Sequence, residues 1–180
     1  MKFIHIPKNA GTSIQNTLGP TSLGHRRVYE VEECGPLFTC IRNPYDRAAS
    51  IYWFMRQQQG NAFFNMVKTW KDINEFWLTI DESGLPYHRR IVTSQISFLR
   101  DKKGVGGISP RIETVLRYET LQEDWPAFAL LHDLPPLPHK NKSEGRTSPN
   151  WQEELSAESI AKIGELYADD FEHLNYERIS

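Results

Sequence analysis

Three short runs of apolar and β-prone residues stand out along the chain, at positions 3–6, 37–41 and 113–118. The first two are nearly continuous in apolar character, as expected for buried strands, and the third alternates between apolar and polar positions. Each run therefore predicts a strand of the core. Because long segments separate the runs, the strands are expected to pair in parallel through helical crossovers.

The intervening and following segments place apolar residues at helical spacing. Helices are predicted over residues 13–18, 44–59, 119–132 and 156–174, the third kinked or interrupted at Pro126, and a short strand is predicted around 28–31. A length of 180 residues suits one well-packed domain. The sequence thus predicts a single α/β domain over residues 1–180, with a small central parallel sheet flanked by helices.

The first strand leads into a loop whose residues suit an anion. Its sequence is Pro7-Lys8-Asn9-Ala10-Gly11-Thr12-Ser13. Pro7 ends the strand, Gly11 permits a tight turn, and Thr12 or Ser13 can cap the next helix. Backbone N–H groups, two hydroxyls and the Lys8 ammonium then converge, as at phosphate-binding helix N-termini. The lysine precedes the glycine, unlike in the P-loop pattern G-x-x-x-x-G-K-[ST], which disfavours a site for a magnesium-bound nucleoside triphosphate.

The second strand also ends in an anion-compatible segment, Arg42-Asn43-Pro44. Asn43 is a good N-cap and Pro44 suits the first helical position, so Arg42 is expected at a helix N-terminus. Asp46 can reach back toward the cap, and Ser50 follows about two helical turns later, on the same side.

Both segments resemble motifs of sulfotransferases that use 3′-phosphoadenosine 5′-phosphosulfate (PAPS), and the chain resembles a short, bacterial-like member of the carbohydrate type. Pro-Lys-x-x-Gly-Thr-Ser resembles their 5′-phosphosulfate loop, and Cys-Ile-Arg-Asn-Pro-Tyr-Asp-Arg-Ala-Ala-Ser resembles their 3′-phosphate segment. Residues 95–99, Gln-Ile-Ser-Phe-Leu, resemble a further Gln-x-x-Phe-Leu element, to which the sequence assigns no role. The resemblance implies a P-loop-like domain.

The resemblance also implies an activity, the transfer of a sulfuryl group from PAPS to a hydroxyl of a carbohydrate or small metabolite. The products would be a sulfate ester and 3′-phosphoadenosine 5′-phosphate (PAP), with no metal. Lys8 would be catalytic. The nucleotide would be bound by Pro7, Lys8, Asn9, Gly11, Thr12 and Ser13 at the 5′ end, by Arg42 and Ser50 at the 3′-phosphate, and by Lys142 and Ser143 of a late loop.

The general base that deprotonates the acceptor hydroxyl has several candidates. A histidine is the natural choice near neutral pH, and Gly24-His25 resembles the Gly-His of short carbohydrate-type members, so His25 is the first candidate. Glu30 and Glu32 follow, since other sulfotransferases use a glutamate. The remaining histidines considered are His5, more typical of a hydrogen-bonded core residue, His88 and His139.

Bulk properties restrict the partners. A formal net charge of −2 and a pI near 6.3 argue against a general nucleic-acid binder. No apolar run approaches the roughly 20 residues that span a bilayer, and the first strand leaves no room for a signal peptide, so a cytoplasmic protein without membrane contact is expected. Cys34 and Cys40 are expected to be plain thiols.

Two other functions stay open at this point. A kinase-like phosphoryl transferase would share the strand–loop–helix arrangement, but the chain lacks Gly-Lys-[Ser/Thr]. A degenerate nucleotide-binding module would keep the fold without turnover. The joint presence of Lys8, Arg42 and Ser50 disfavours such a module. Taken singly, Lys8 could also be an ordinary surface lysine, and Arg42 could form a salt bridge with Asp46 or Asp124.

Overall fold

The computed structural model describes residues 1–19, 23–32, 35–57, 67–80, 89–103, 105–138, 146, 148 and 150–179. The chain divides into two compact units. The first contains Met1–Arg42 and Ser94–Asn141, and the second contains Asn43–Thr93 and Lys142–Ser180. The single domain over residues 1–180 stays a prediction.

The first unit is built on a parallel sheet of three strands, β1 (Lys2–Ile4), β2 (Leu37–Ile41) and β3 (Ile112–Arg117), in the order β1-β2-β3. The predicted α/β fold with a small parallel sheet flanked by helices is confirmed. All five residues of the central strand β2 are buried, which explains its continuous apolar run. Pairing of β1 with β2 ends at Ile4 and Thr39.

The helices of the described residues are α1 (Gly11–Leu18), α2 (Pro44–Gln57), α3 (Ile73–Thr79), α4 (Arg89–Val92), α5 (Ile96–Leu99), α6 (Leu121–Leu131), α7 (Ala157–Leu166) and α8 (Ala168–Leu174). Asn43 caps α2 as predicted, since its Oδ1 accepts the N–H of Tyr45 at 2.9 Å. No helix in these ranges is long and apolar enough to cross a membrane.

Two sequence predictions of secondary structure are wrong. The predicted strand at 28–31 is a 3₁₀ helix, Val28–Glu30, whose Glu30 carboxylate accepts the N–H of Arg27. The carbonyl groups of Val28 and Val31 bind the Arg111 side chain instead of a neighbouring strand.

The predicted helix over 156–174 is two helices, because Tyr167 leaves helical geometry at φ −110° and ψ 27°. The buried Tyr167 hydroxyl donates to the carbonyl of Val92 at 2.8 Å, a contact that helical periodicity does not reveal. A kink or an interruption was expected at Pro126. Helix α6 is not interrupted there, since it runs from Leu121 to Leu131 through Pro126.

The core of the first unit lies where α1 and α6 cover the sheet. Its buried residues are Phe3, Ile14, Phe38, Cys40, Leu116, Leu121, Trp125, Phe128 and Ala129. Cys40 is a free, buried thiol, and burial raises its pKa far above the ordinary value, so it is a packing residue without nucleophilic character. Cys34 lies outside the described residues.

The second unit has a separate aromatic core, formed by side chains of α2, α3, α4, α7 and α8. At its edge, the Arg146 guanidinium binds Asp46 at 2.9 Å and Glu154 at 2.6 Å. Burial lowers the pKa of Arg146, but the hydrogen bond to Glu154 and the charge of Asp46 outweigh this and raise it. The predicted capping residue Asp46 thus takes part in an ion pair within this unit.

Candidate functional site

The loop between β1 and α1 has an unusual backbone. Lys8 and Ala10 adopt the left-handed conformation, with φ of 71° and 57°. Such a conformation costs a residue with a Cβ roughly 1–2 kcal/mol, so the surrounding contacts must hold the loop in place. Turns of this kind point successive N–H groups inward and form concavities suited to anions.

The helix after this loop begins earlier than predicted and is not capped by a hydroxyl. Helix α1 starts at Gly11, and its N-cap is Ala10, which has no hydrogen-bonding side chain. Thr12 is exposed and Ser13 is buried, so both lie in the first turn rather than at the cap. The backbone bond from Ile14 N–H to Ala10 O, at 3.1 Å, begins the helical ladder. The first-turn N–H groups therefore precede that ladder, an arrangement also found where helix N-termini bind anions.

From the sequence, Gly11 is expected to permit a tight turn, but the structure requires glycine at this position for a different reason. Its φ is not positive, and the loop's left-handed residues are Lys8 and Ala10. Instead, a Cβ placed on Gly11 would lie 1.7 Å from Nε2 of His5. Because no real Cβ approaches another heavy atom so closely, the buried imidazole of His5 packs on Gly11 only in the absence of a side chain.

His5 itself is a buried, neutral histidine under the loop. It is 7% exposed, and its ring stacks on Phe3 with centroids 5.7 Å apart. Burial, followed by the charge of His25, lowers the pKa of His5 to about 3, against a raising effect of its hydrogen bond with Gln15. The prediction that His5 is a core residue rather than the base agrees with this position.

His25, the first candidate for the base, lies beside this loop in the same unit. Its ring centroid is 4.1 Å from that of His5, and its Nδ1 is 3.1 Å from the His5 carbonyl oxygen. A carbonyl only accepts hydrogen bonds, so Nδ1 carries the proton in neutral His25 and the lone pair is on Nε2. The exposed His25 ring thus has the tautomer that a general base at Nε2 needs.

Arg42 joins the second predicted segment to the first. Its Nη1 donates to the Lys8 carbonyl at 3.0 Å, and its guanidinium carbon lies 3.9 Å from the centre of the Tyr118 ring. Arg42 is only 6% exposed. The two carboxylates considered as salt-bridge partners of Arg42 bind other residues. Asp46 forms an ion pair with Arg146, and Asp124 accepts a hydrogen bond from Thr120.

A residue without a predicted role, Gln95, is central to the site. Its Oε1 accepts the Arg42 N–H at 3.0 Å, and its Nε2 donates to the Arg42 carbonyl at 2.8 Å. Asn9 Nδ2 donates to the same Oε1 at 2.6 Å and to the carbonyl of Cys40 at 2.9 Å. The Gln-x-x-Phe-Leu resemblance was the only sequence signal for this residue, since its partners lie far away in the chain.

The remaining candidates fall into four groups. Pro7 and Asn9 are buried, and the Asn9 side chain donates hydrogen bonds within the protein. Glu30 and Glu32 are exposed on and after the 3₁₀ helix. Ser50 lies buried in α2 of the second unit, and its pairing with Arg42 on one phosphate stays a prediction. The candidates outside the described residues are Lys142, Ser143, His88 and His139.

The depressed pKa of His5 predicts a pH-dependent stability. Unfolded His5 binds a proton below about pH 6.5, whereas folded His5 stays neutral down to about pH 3, so stability is lost as the pH falls. Urea unfolding at pH 7, 6 and 5 should show wild type losing about 2 kcal/mol more than His5→Phe by pH 5. Equal losses in the two proteins would contradict a buried neutral His5.

Comparison with protein-family models, with curated proteins and with solved structures gave no match to this chain. Within the described ranges, no group of three or more His, Cys, Asp or Glu side chains is arranged to hold a metal ion. The functional interpretation therefore depends on the two motifs and on the contacts between them.

Proposed function

We propose that this protein is a PAPS-dependent sulfotransferase, with a P-loop-like donor site on its first unit. The observation that supports the proposal most is the 3.0 Å bond between Arg42 Nη1 and the Lys8 carbonyl. These residues belong to two motifs that are 34 positions apart and that were assigned to the two ends of one nucleotide. A donor with phosphates at both ends needs both segments close together.

The charges of the loop favour a nucleotide with an anionic group at each end. Lys8 and Arg42 are cations joined through one backbone carbonyl, and α1 directs its N-terminus toward the same loop. Arginine suits phosphate because its planar guanidinium offers N–H donors in a fixed geometry that matches phosphate oxygens. The 5′-phosphosulfate would bind the Lys8 loop, and the 3′-phosphate would bind Arg42.

The reaction requires one bond to form and one to break. The acceptor hydroxyl oxygen attacks sulfur, and the bond between sulfur and the bridging oxygen of the 5′-phosphate breaks, releasing PAP. The acceptor proton passes to Nε2 of His25, which the Nδ1 bond to His5 O keeps in the basic tautomer. The Lys8 ammonium would stabilise the negative charge that develops on the leaving oxygen.

The acceptor is proposed only as a class, a hydroxyl of a carbohydrate or small metabolite. An exposed base such as His25 can serve an acceptor that approaches from solvent. Fold and donor site do not restrict the acceptor further.

The proposal predicts metal-independent PAP binding that depends on Arg42. Calorimetric titration of wild type with PAP in EDTA should give saturable binding, and Arg42→Ala should weaken it roughly 100-fold, as expected for a lost charge-assisted contact with phosphate. ATP with Mg²⁺ is the comparison ligand. Arg117→Ala is a matched control, because it removes an arginine from β3 in the same unit.

The outcomes separate the competing functions. PAP binding lost in Arg42→Ala and kept in Arg117→Ala supports the donor site. Binding of ATP only with Mg²⁺ would replace the proposal by a kinase-like phosphoryl transferase. Binding of neither nucleotide would favour a degenerate module.

A further inference from the structure

Residues 7–13 and 42–44 are the two segments proposed to bind anions, and they are called the two anion loops below. Strands β1 and β2 stop pairing before these loops begin, and side-chain amides continue the pairing. The β1–β2 ladder ends at Ile4 and Thr39, while β2 stays paired with β3 as far as Ile41, so the later backbone groups on the β1 side of β2 need other partners. Asn9 Nδ2 satisfies the carbonyl of Cys40, and the Gln95 amide binds both the N–H and the carbonyl of Arg42. Asn9 and Gln95 are both fully buried, which shields these bonds from water.

The orientation of these amides is fixed by the backbone. The Arg42 N–H only donates, so the atom of Gln95 that faces it is the oxygen, and the Asn9 nitrogen must then donate to that oxygen. In this orientation Asn9 Oδ1 is buried and finds no donor among the described residues. A buried acceptor without a hydrogen bond is unfavourable. The two hydrogen bonds that Asn9 Nδ2 donates must therefore outweigh the cost of leaving Oδ1 without a donor.

The side-chain amide of Gln95 therefore connects two segments. It bonds Asn9 in the loop that contains Lys8, and it bonds the backbone of Arg42. We infer that Gln95 is a positioning residue that fixes the spacing of the two anion loops and so makes the site selective for nucleotides with two separate phosphate groups over those with one. This inference rests on the proposed function and extends it to ligand discrimination. Rigid spacing favours a two-phosphate ligand because both contacts form without reordering of the loops.

The test compares three ligands, PAP, adenosine 5′-phosphate and adenosine 3′-phosphate, by calorimetric titration. Wild type should prefer PAP over each monophosphate by on the order of 100-fold, and Gln95→Ala should reduce this preference roughly tenfold while binding of the monophosphates changes little. Asn9→Ala should have a similar effect, and the double variant should lose little more, because both act through one network.

A structural effect alone is excluded by a control in the same unit. Ser109→Ala removes a buried hydroxyl that bonds Asp101 and the Arg111 N–H, so it should lower stability while the preference for PAP stays at the wild-type value. Gln95→Glu serves if Gln95→Ala does not fold, since its carboxylate can accept from Arg42 N–H but cannot donate to the carbonyl, and a reduced preference is again expected.

The possible results are distinct. A reduced preference in Gln95→Ala with an unchanged one in Ser109→Ala supports the inference. An unchanged preference in a folded Gln95 variant that still binds PAP overturns the inference and leaves the proposed function intact. If wild type binds none of the three nucleotides, the proposed function fails, and the inference fails with it.

Discussion

Among the glycines in the described part of the chain, Gly11 is the one whose substitution by alanine is expected to disrupt the anion loop most. The added Cβ would lie 1.7 Å from His5 Nε2, so the imidazole must leave its buried position or the loop must shift. Overpacking of this kind costs about 1–3 kcal/mol, and a displaced loop would weaken PAP binding roughly 100-fold. Thermal unfolding and calorimetric titration of the variant measure the two effects.

Two variants test the cause of this effect. Ala10→Gly removes a methyl group at the neighbouring position, where the backbone is left-handed. Glycine adopts this conformation without strain, so the change should be neutral or stabilise the protein by up to about 1 kcal/mol. The double variant with His5→Ala and Gly11→Ala lacks the imidazole that clashes, so it should be more stable than the single variant Gly11→Ala. A Gly11→Ala protein with wild-type stability and PAP affinity would show that the close approach of His5 has no consequence.

Lys8→Ala is expected to reduce the rate of sulfuryl transfer about 10²–10³-fold, because the charge that develops on the leaving oxygen would lose its cation. Binding of PAP should fall far less, since the Lys8 carbonyl that anchors Arg42 belongs to the backbone and is kept in the variant. Single-turnover release of PAP from PAPS, with any hydroxyl acceptor or water, measures the rate.

Lys8→Gly is the matched control, because Lys8 has a φ of 71°. Glycine removes the same ammonium but adopts this conformation without strain. If the ammonium is responsible, the alanine and glycine variants should be equally slow. If backbone strain at Lys8 sets the rate instead, the two variants should differ, and a catalytic role for the ammonium would be wrong.

Several elements could be predicted from the sequence because short-range physics determines them. Strand β2 coincides with the predicted residues 37–41, since a run buried on both faces is recognisable from composition alone. The start of α2 was predicted from Asn43 and Pro44, because a cap acts within its own turn. Strand β3 and the start of α6 were predicted to within two residues.

Other elements were mispredicted where distant residues compete with local preference. Arg111 binds the carbonyl groups of Val28 and Val31, 83 and 80 positions away, where the sequence predicts a strand. Tyr167 interrupts a periodic helix through a bond to Val92, 75 positions away. Neither partner is visible in a local window of sequence.

The two segments proposed to bind anions could be found from the sequence, since their proposed chemistry depends on a few consecutive residues after a strand. How these segments are held could be seen only in the folded chain. His5 packs against Gly11, the Arg42 guanidinium reaches the Lys8 carbonyl, and Gln95 bonds residues 86 and 53 positions away. These contacts depend on which buried backbone groups lack a partner at the end of β2, and that becomes defined only when the sheet has formed.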